Sequence, residues 1–456
     1  MYTITPELVL KFHKPAPRYT SYPTAPEWGP MDEQVYRKEL EKLAKTENPL
    51  SLYFHIPFCK TMCLYCGCSV VLNRKPENET LYVDYLTKEI DLVTKILGRK
   101  VVPQLHFGGG TPTKLSIPLF QRLFTHIQER FSLDFSKEIA IEIDPRTVLE
   151  NGGEKLRFLH QIGFNRVSFG VQDTDPKVQE AVKRRQSLEM TQETYWLARE
   201  LGFSGVNLDL IYGLPYQTPE TFSKTISDIL EMRPDRIALF SYAKVPWLKP
   251  HQKAIKDKTL PSTEEKFRIY TEARSRLVDA GYVVIGMDHF ALEEDVMAVA
   301  YREKTLQRNF QGYTVRHAED MVSFGASSIG FVQNGYFQNL KALPDYYGAL
   351  EKGELPICKG RILTEEDRLR KWVIHTLMCT FSLDKKSFEK KVGVPFDSYF
   401  ADAEEKLAEL EAEGLILQTP EKIEVTQPGE LLIRNVVMTF DAYLKQESKP
   451  KFSQSI

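Results

Sequence analysis

Six short runs rich in β-branched and aromatic residues follow one another along the chain: Leu52–Ile56, Gln104–Phe107, Ile139–Ile143, Arg166–Val171, Val206–Ile211 and Ile237–Tyr242. Amphipathic stretches with helical periodicity separate them: Tyr82–Leu97, Pro118–Phe131, Glu154–Ile162, Leu188–Leu201 and Glu220–Met232. Strands this short, apolar in character and spaced by helices predict a parallel sheet covered on its faces. Six such units fit an open or partial barrel better than an eight-fold one. In parallel α/β folds ligands bind beyond the carboxyl ends of the strands. The polar and glycine-rich residues fall there: a cysteine-rich loop after the first strand, Gly108–Thr113 after the second, and Glu142 and Asp144 ending the third. Gln172 and Asp173 follow the fourth, and Asp209 with the turn Gly213–Pro215 belongs to the fifth.

Four of the six cysteines lie between Cys59 and Cys68, in a run that reads Cys59-Lys-Thr-Met-Cys63-Leu-Tyr65-Cys66-Gly-Cys68. Such crowding is hard to explain by packing and easy to explain by metal chemistry. A four-cysteine zinc site usually shows two separated pairs, whereas this run is compact. A disulfide framework belongs to small secreted domains, and this chain is large and opens with no signal-peptide pattern. An iron–sulfur cluster fits best, because thiolates on one short loop can wrap a cube of iron and sulfide. The zinc reading and the reading of inert buried cysteines stay open at this point.

A chain of 456 residues predicts one large domain with appendages, or two domains. Its formal charge of −2, with acids and bases mixed, gives no electrostatic argument for nucleic acid or membrane binding. No apolar run reaches a membrane-spanning length. A cytoplasmic location, where thiols stay reduced, is the expectation. After residue 245 the rhythm changes. A helix over Thr263–Ala280 leads to an added strand near Tyr282–Gly286, and Arg361–Leu444 reads as mostly helical with a hairpin at Ile416–Val425. A winged-helix shape suits that segment, but its expected helix Asp397–Glu413 holds seven acids and one lysine and would repel phosphate. A lid or substrate-covering role is the reading.

Glycines at 108–110 let backbone amides approach a ligand closely, although a tight strand-to-helix turn needs them too. Glu142 at a strand end can accept from a ribose or an amine, or stand as an exposed turn carboxylate. Asp209, between Leu208 and Leu210, is costly to bury unpaired and so calls for a partner or ligand. Arg184 can grip a carboxylate with two parallel bonds, or simply be solvated in Lys183-Arg184-Arg185.

The spacing C-x3-C-x2-C with Tyr65 before the last cysteine resembles the radical S-adenosylmethionine (SAM) superfamily. There, three cysteines, here Cys59, Cys63 and Cys66, hold three irons of a [4Fe–4S] cluster. The fourth iron is chelated by SAM, which an electron from the cluster cleaves to methionine and a 5′-deoxyadenosyl radical. Cys68 is then a loop cysteine beside the cluster and not a ligand. Further segments are similar to the oxygen-independent coproporphyrinogen III oxidase (dehydrogenase) family: Pro17–Thr24, Tyr53–Cys59, Cys66–Cys68, Gly170–Asp173, Asn207–Pro215, Gly286–Ala291, Arg308–Thr314 and Arg434–Asp441. The resemblance covers nearly the whole chain. It implies a partial (βα)6 radical SAM barrel over 49–360, an N-terminal arm over 1–48 that covers the active site, and a mostly helical C-terminal domain over 361–456.

The resemblance also implies a reaction. Propionates on rings A and B of coproporphyrinogen III become vinyls as the radical takes a hydrogen from the propionate β-carbon and CO₂ and one electron leave. The product is protoporphyrinogen IX, on the way to heme. The family binds two SAM molecules. Tyr53, Gly109, Glu142 and Ile329 match contacts to the SAM on the cluster. Tyr65, Gly110, Thr111, Gln172, Arg184, Asp209 and Ala243 match contacts to the second. Arg18, Tyr19, His289, Arg308 and Gln311 are the substrate candidates, since a tetracarboxylate macrocycle needs cations and aromatics around it. A reducing donor such as flavodoxin or ferredoxin and a monomeric state complete the expectation. The rival readings are a heme-carrying relative without decarboxylase activity, an anaerobic heme-opening enzyme and a zinc module. Such carriers generally lack the Pro17–Thr24 segment and have Asp-Phe where this chain has Gly67-Cys68.

Overall fold

The computed structural model describes residues 6–315, 318–444 and 452–454. All six expected strands form, five of them longer than their apolar runs and the sixth of equal length but one residue earlier: β1 (Leu50–Ile56), β2 (Val101–Gly109), β3 (Ser132–Ile143), β4 (Arg166–Gln172), β5 (Gly205–Tyr212) and β6 (Arg236–Ser241). The five helices expected between them form as α1 (Pro76–Leu97), α2 (Ile117–Arg130), α3 (Glu150–Gln161), α4 (Leu188–Leu201) and α5 (Pro219–Met232), with a short helix Pro176–Ala181 added before α4. Asn151, Gly152 and Gly153 have left-handed backbone, so regular α3 begins near Glu154, as its periodicity predicts.

Strands β1 to β6 pair side by side and all parallel. Further strands extend the sheet on both edges, to thirteen in all. Beyond β6 lie β7 (Tyr282–Ile285), preceded by helix α6 (Thr263–Asp279), and β8 (His289–Leu292). Both are antiparallel additions. Beyond β1 lies a seventh parallel strand, β9 (Asp320–Phe324), then antiparallel β10 (Ile329–Val332), β11 (Gly335–Asn339) and β12 (Ile357–Ile362).

The two faces of this sheet differ in chemistry. Leu52, Phe54, Leu105, Phe107, Ile139, Ile141, Val167, Phe169, Val206 and Leu208 are almost wholly buried in the main core with the helices. Alternate residues point to the concave inner face: Ser51, Tyr53 and His55; Gln104 and His106; Glu138 and Glu142; Ser168; Asn207 and Asp209. At the amino end, charges close the inner face. Arg166 bonds Asp295 at 3.0 Å and Glu138 at 3.4 Å, and Arg236 bonds Asp295 at 2.7 Å. Two arginines and two carboxylates balance there, so the charges are paired rather than isolated.

The C-terminal part packs its own core around α7 (Glu365–Thr380) and a three-stranded sheet of Ser382–Asp384, Lys422–Val425 and Ile416–Gln418. The expected hairpin is present with one additional strand. The stretch Asp397–Glu413 is three short pieces, not one helix: Phe396–Tyr399, Ala401–Ala403 and Glu404–Ala412. The break falls at Phe400, whose ring is buried against Phe388, Phe396 and Phe440.

The N-terminal arm is divided between the two cores. Tyr36, Leu40 and Leu43 of helix Glu33–Ala44 join the barrel core, whereas Val9, Phe12, Tyr19 and Tyr22 join the C-terminal one. Two of the sequence segments singled out above, Pro17–Thr24 and Arg434–Asp441, meet here. The buried Arg434 guanidinium donates to the carbonyls of Pro17 (3.0 Å), Ala16, Gln454 (2.9 Å) and Ser453 (3.2 Å). Asn435 donates to Phe12 O at 2.9 Å, and the Ala442 amide to Tyr22 Oη at 3.0 Å. Replacing Arg434 with methionine strands these carbonyls. The expected loss is about 3 kcal/mol of stability, read by chemical denaturation, with faster proteolysis of the arm.

Candidate active site

The cysteine loop leaves β1 and is fastened on several sides. Phe58 and Cys59 pair with Val71 and Leu72, and Asn73 N donates to Cys59 O at 3.1 Å. Leu64 N donates to Val182 O at 2.9 Å. A segment after β6 holds the loop's carbonyls. Gln252 Nε2 bonds Tyr65 O at 2.8 Å, His251 Nε2 meets Cys66 O at 2.9 Å, and Lys249 Nζ bonds Cys68 O at 2.7 Å. Sequence reading missed these three side chains because they lie far away in the chain and belong to no motif.

All six cysteines are free thiols. Cys63 Sγ has two guanidinium neighbours, Arg184 Nη1 at 3.7 Å and Arg146 Nη2 at 4.0 Å, and Cys59 Sγ lies 3.5 Å from Thr111 Oγ1. The Cys68 thiol, bonded to Cys66, pulls the Cys66 pKa down to about 6, while burial pushes Cys59 up to about 11. Among the described residues no three His, Cys, Asp or Glu side chains are gathered closely enough to hold a single metal ion. Three cysteines on one loop suit a multi-iron cluster, in which each iron takes one thiolate.

The glycine turn has no room for side chains. A Cβ on Gly110 would lie 2.6 Å from Pro57 O, and one on Gly109 (φ +112°) 2.7 Å from the His55 ring. A Cβ on Gly108 would lie 2.9 Å from Glu142 Oε1. Glu142 instead accepts from Gly109 N at 3.1 Å and meets His106 Nε2 at 3.3 Å. Burial opposes the His106 imidazolium, but Glu142 outweighs it and raises the pKa. Tyr53 stacks on His106 with centroids 6.0 Å apart, and its hydroxyl meets His55 Nδ1 at 3.1 Å.

Gln172 has φ +71° at a bulge opposite β5, and Gly170 leaves the room that Gln172 and Arg184 occupy. Arg184 donates to Gly170 O at 2.5 Å and pairs with Asp144 at 3.3 Å, but its buried Nε has no partner among the described residues. Asp144 is shared with Arg146 at 2.6 Å. Asp209 accepts from Ser168 at 3.0 Å and Asn207 at 2.7 Å. Burial first, and the charge of Glu142 second, raise its pKa to about 6. The buried Asn207 Oδ1 is also unpartnered. These open polar atoms and the glycine cradle fit a polar cofactor such as SAM. Because the Asp209 pKa is raised, its carboxylate costs stability above pH 3.8, fully so beyond about pH 6. Asp209→Asn is expected to raise the melting temperature by a few degrees above about pH 6, with the gap closing toward pH 3.8, and to weaken SAM binding.

Of the other expected contacts, Tyr65 lies in a small cluster with Val178, Val182 and Tyr242, and the neighbouring Ala243 carbonyl accepts from Gln252. Ile329 is on the opposite flank, packed with Trp28 and Tyr336. Arg18, His289 and Arg308 come together. Arg18 pairs with Asp288 and lies over Phe240 at 5.7 Å. His289 Nδ1 meets Asp288 Oδ1 at 2.6 Å, and Arg308 Nη2 donates to Arg18 O at 3.2 Å. Burial would raise the Asp288 carboxyl, yet Arg18 and His289 hold it well below the usual range. Tyr19 does not join them. Its ring is buried in the C-terminal core and its hydroxyl donates to Asp441 at 2.9 Å, so it anchors the arm. Gln311 is exposed at the hairpin between Gln307–Asn309 and Gly312–Thr314.

The sequence profile of the Radical SAM superfamily matches residues 53–229, and that of the HemN C-terminal domain matches residues 363–432. An oxygen-independent coproporphyrinogen III oxidase of Salmonella typhimurium is 42% identical over 451 residues, 98% of each chain. The chain belongs to the oxygen-independent coproporphyrinogen III oxidase family. A Synechocystis enzyme of the same name is 41% identical over 99% of this chain and 97% of its own. The solved structure of the Escherichia coli coproporphyrinogen III oxidase (HemN), described as a radical SAM enzyme, has a TM-score of 0.89 and 42% identity. That match covers 94% of this chain and 98% of the other. Membership implies a [4Fe–4S] cluster and SAM. No helix among the described residues is long and apolar enough to cross a membrane.

Proposed function

We propose that the chain converts coproporphyrinogen III to protoporphyrinogen IX without oxygen, using a [4Fe–4S] cluster and two SAM molecules. The observation that carries this reading is identity of 42% spanning the arm, the barrel and the C-terminal part together. A likeness confined to the barrel would give only the superfamily.

When bound, the cluster and SAM supply one-electron chemistry able to remove a hydrogen atom from an unactivated carbon. Cys59, Cys63 and Cys66 hold the cluster. Tyr53, Gly109, Glu142 and Ile329 orient the SAM on it. Tyr65, Gly110, Thr111, Gln172, Arg184, Asp209 and Ala243 hold the second. The ion-paired floor at Arg166 and Arg236 keeps water from the amino end. Arg18 and Arg308 offset substrate carboxylates at the rim. His289, with Nδ1 tied to Asp288, has no bond at Nε2 among the described residues and can carry a proton there. The units 1–48, 49–360 and 361–456 serve as cover, reaction barrel and lid of a cytoplasmic monomer. It draws electrons from a reduced flavodoxin or ferredoxin.

The test is anaerobic incubation of reconstituted protein with dithionite, SAM and coproporphyrinogen III, followed by mass spectrometry. Loss of two formic-acid equivalents from the porphyrin supports the proposal. Tight heme binding with no change in porphyrin mass would replace it with the carrier reading.

A further inference from the structure

Helix α7 lies over the inner face of the sheet. Strand register sets Arg361, Tyr336, Phe331, Met321, Ser51 and Gln104 in one row, so all six share that face. Lys371 of α7 places its Nζ 3.6 Å from the centre of the Phe331 ring and 5.0 Å from that of Tyr336. Among the described residues it has no hydrogen bond and no ion pair. One turn along α7, His375 has a buried Nε2 without a partner. Arg308 lies against the same helix, stacked on Tyr313 at 4.4 Å, and its buried Nε is also without a partner. Its Nη2 donates to Arg18 O, its backbone bonds the His375 ring, and among the described residues no carboxylate lies within ion-pair distance of its guanidinium. The charges of Lys371 and Arg308 both bear on the His375 ring.

This want of counter-charge is local. Arg361, in the same row, has Asp367 and Tyr443, and Arg370, next to Lys371, has Glu366. Two cations beside an imidazole in a partly dry place, with only the more distant Asp288 charge bearing on Arg308, are costly, and a bound carboxylate resolves the cost. Desolvation pulls Lys371 down to about 7, which an arriving carboxylate would reverse. The row lies level with Ser51, whereas the glycine turn pairs with Ile56. Along the strands, five residues, roughly 16 Å, separate the two levels. A tetrapyrrole with propionates at several edges would extend from one level toward the other.

We propose that Lys371, with Arg308 and His375, holds a substrate propionate other than the one reacting, while Phe331 and Tyr336 support the edge of the macrocycle. The C-terminal helix is thereby a substrate-binding element and not only a cover. The proposal rests on the decarboxylase reading.

The test compares the reconstituted holoenzyme with Lys371→Met and Lys371→Arg. Binding of coproporphyrin III and of its tetramethyl ester is followed by fluorescence quenching, and KM and kcat are measured with coproporphyrinogen III. The expected result for Lys371→Met is about tenfold weaker binding of the free acid and a similarly raised KM, from loss of one charge-assisted contact. Ester binding stays as in the parent, and Lys371→Arg keeps acid binding near the parent value. Lys371→Gln replaces the methionine variant if that one does not fold. Equal acid binding and equal KM in parent and variant would overturn the assignment while leaving the decarboxylase intact. A parent that neither binds nor converts the tetracarboxylate would instead overturn the function on which it rests.

Discussion

Serine at position 63 is expected to give a folded protein with no [4Fe–4S] cluster and no detectable SAM cleavage, and serine at 59 or 66 is expected to do the same. A hydroxyl is a poor substitute for a thiolate on iron. The loop itself is secured by the Leu64 amide, which donates to Val182 O, and by the side chains of Gln252, His251 and Lys249 on loop carbonyls, none of which depends on sulfur. The fold should therefore outlast the cluster. Iron and sulfide content, visible charge-transfer absorbance and 5′-deoxyadenosine yield are the readouts, with circular dichroism as the control for folding. Cys68→Ser is the contrast. Its thiol is exposed and lies beside Cys66, so the cluster should stay and turnover should fall only moderately. An intact, active cluster in Cys63→Ser would sink the assignment.

The second large effect is at Gly109. Alanine there meets two obstacles, a φ of +112° that L side chains rarely adopt and a Cβ 2.7 Å from His55 Cε1. The His55 ring cannot yield freely. It connects Tyr53 Oη to Ser69 O, so its displacement moves both the stacked aromatic and the cysteine loop. The Gly109 amide that donates to Glu142 would shift as well. A misplacement of this size costs about 100-fold or more in rate. Gly109→Ala should keep its three cysteine ligands and its iron, yet lose SAM affinity and cleavage by at least that factor. Isothermal titration with SAM beside iron analysis separates the two. Parent-like SAM binding would show that the glycine serves only the turn.

Much of this architecture is legible in the sequence because the outer face of each strand is apolar and the helices are periodic. The inner face is hidden in the same runs. Asn207 and Asp209 alternate with Val206, Leu208 and Leu210, and the alternation has meaning only once a concave side exists for the polar set. Strand β9 escaped notice because Asp320–Phe324 is only five residues long and follows a hairpin, with no helix to mark it as part of the repeat. The segment Asp397–Glu413 was periodic enough to read as one helix, but burying Phe400 in an aromatic core broke it. At the site, the cysteines and glycines announce themselves by spacing. Arg146 and Gln252 do not, because their partners are brought to them by the fold. Tyr19 shows the converse. It stands in a recognisable segment beside Arg18, yet a φ of +47° and an Asp441 partner take its ring into the other core.

The central claim is that the cysteine loop and the inner face act on a propionate side chain. The most direct measurement uses coproporphyrinogen III carrying deuterium at the propionate β-carbons, incubated anaerobically with the reconstituted protein, SAM and a reductant. The account predicts protoporphyrinogen together with 5′-deoxyadenosine that has gained deuterium. Unlabelled 5′-deoxyadenosine with the tetracarboxylate recovered unchanged would contradict it.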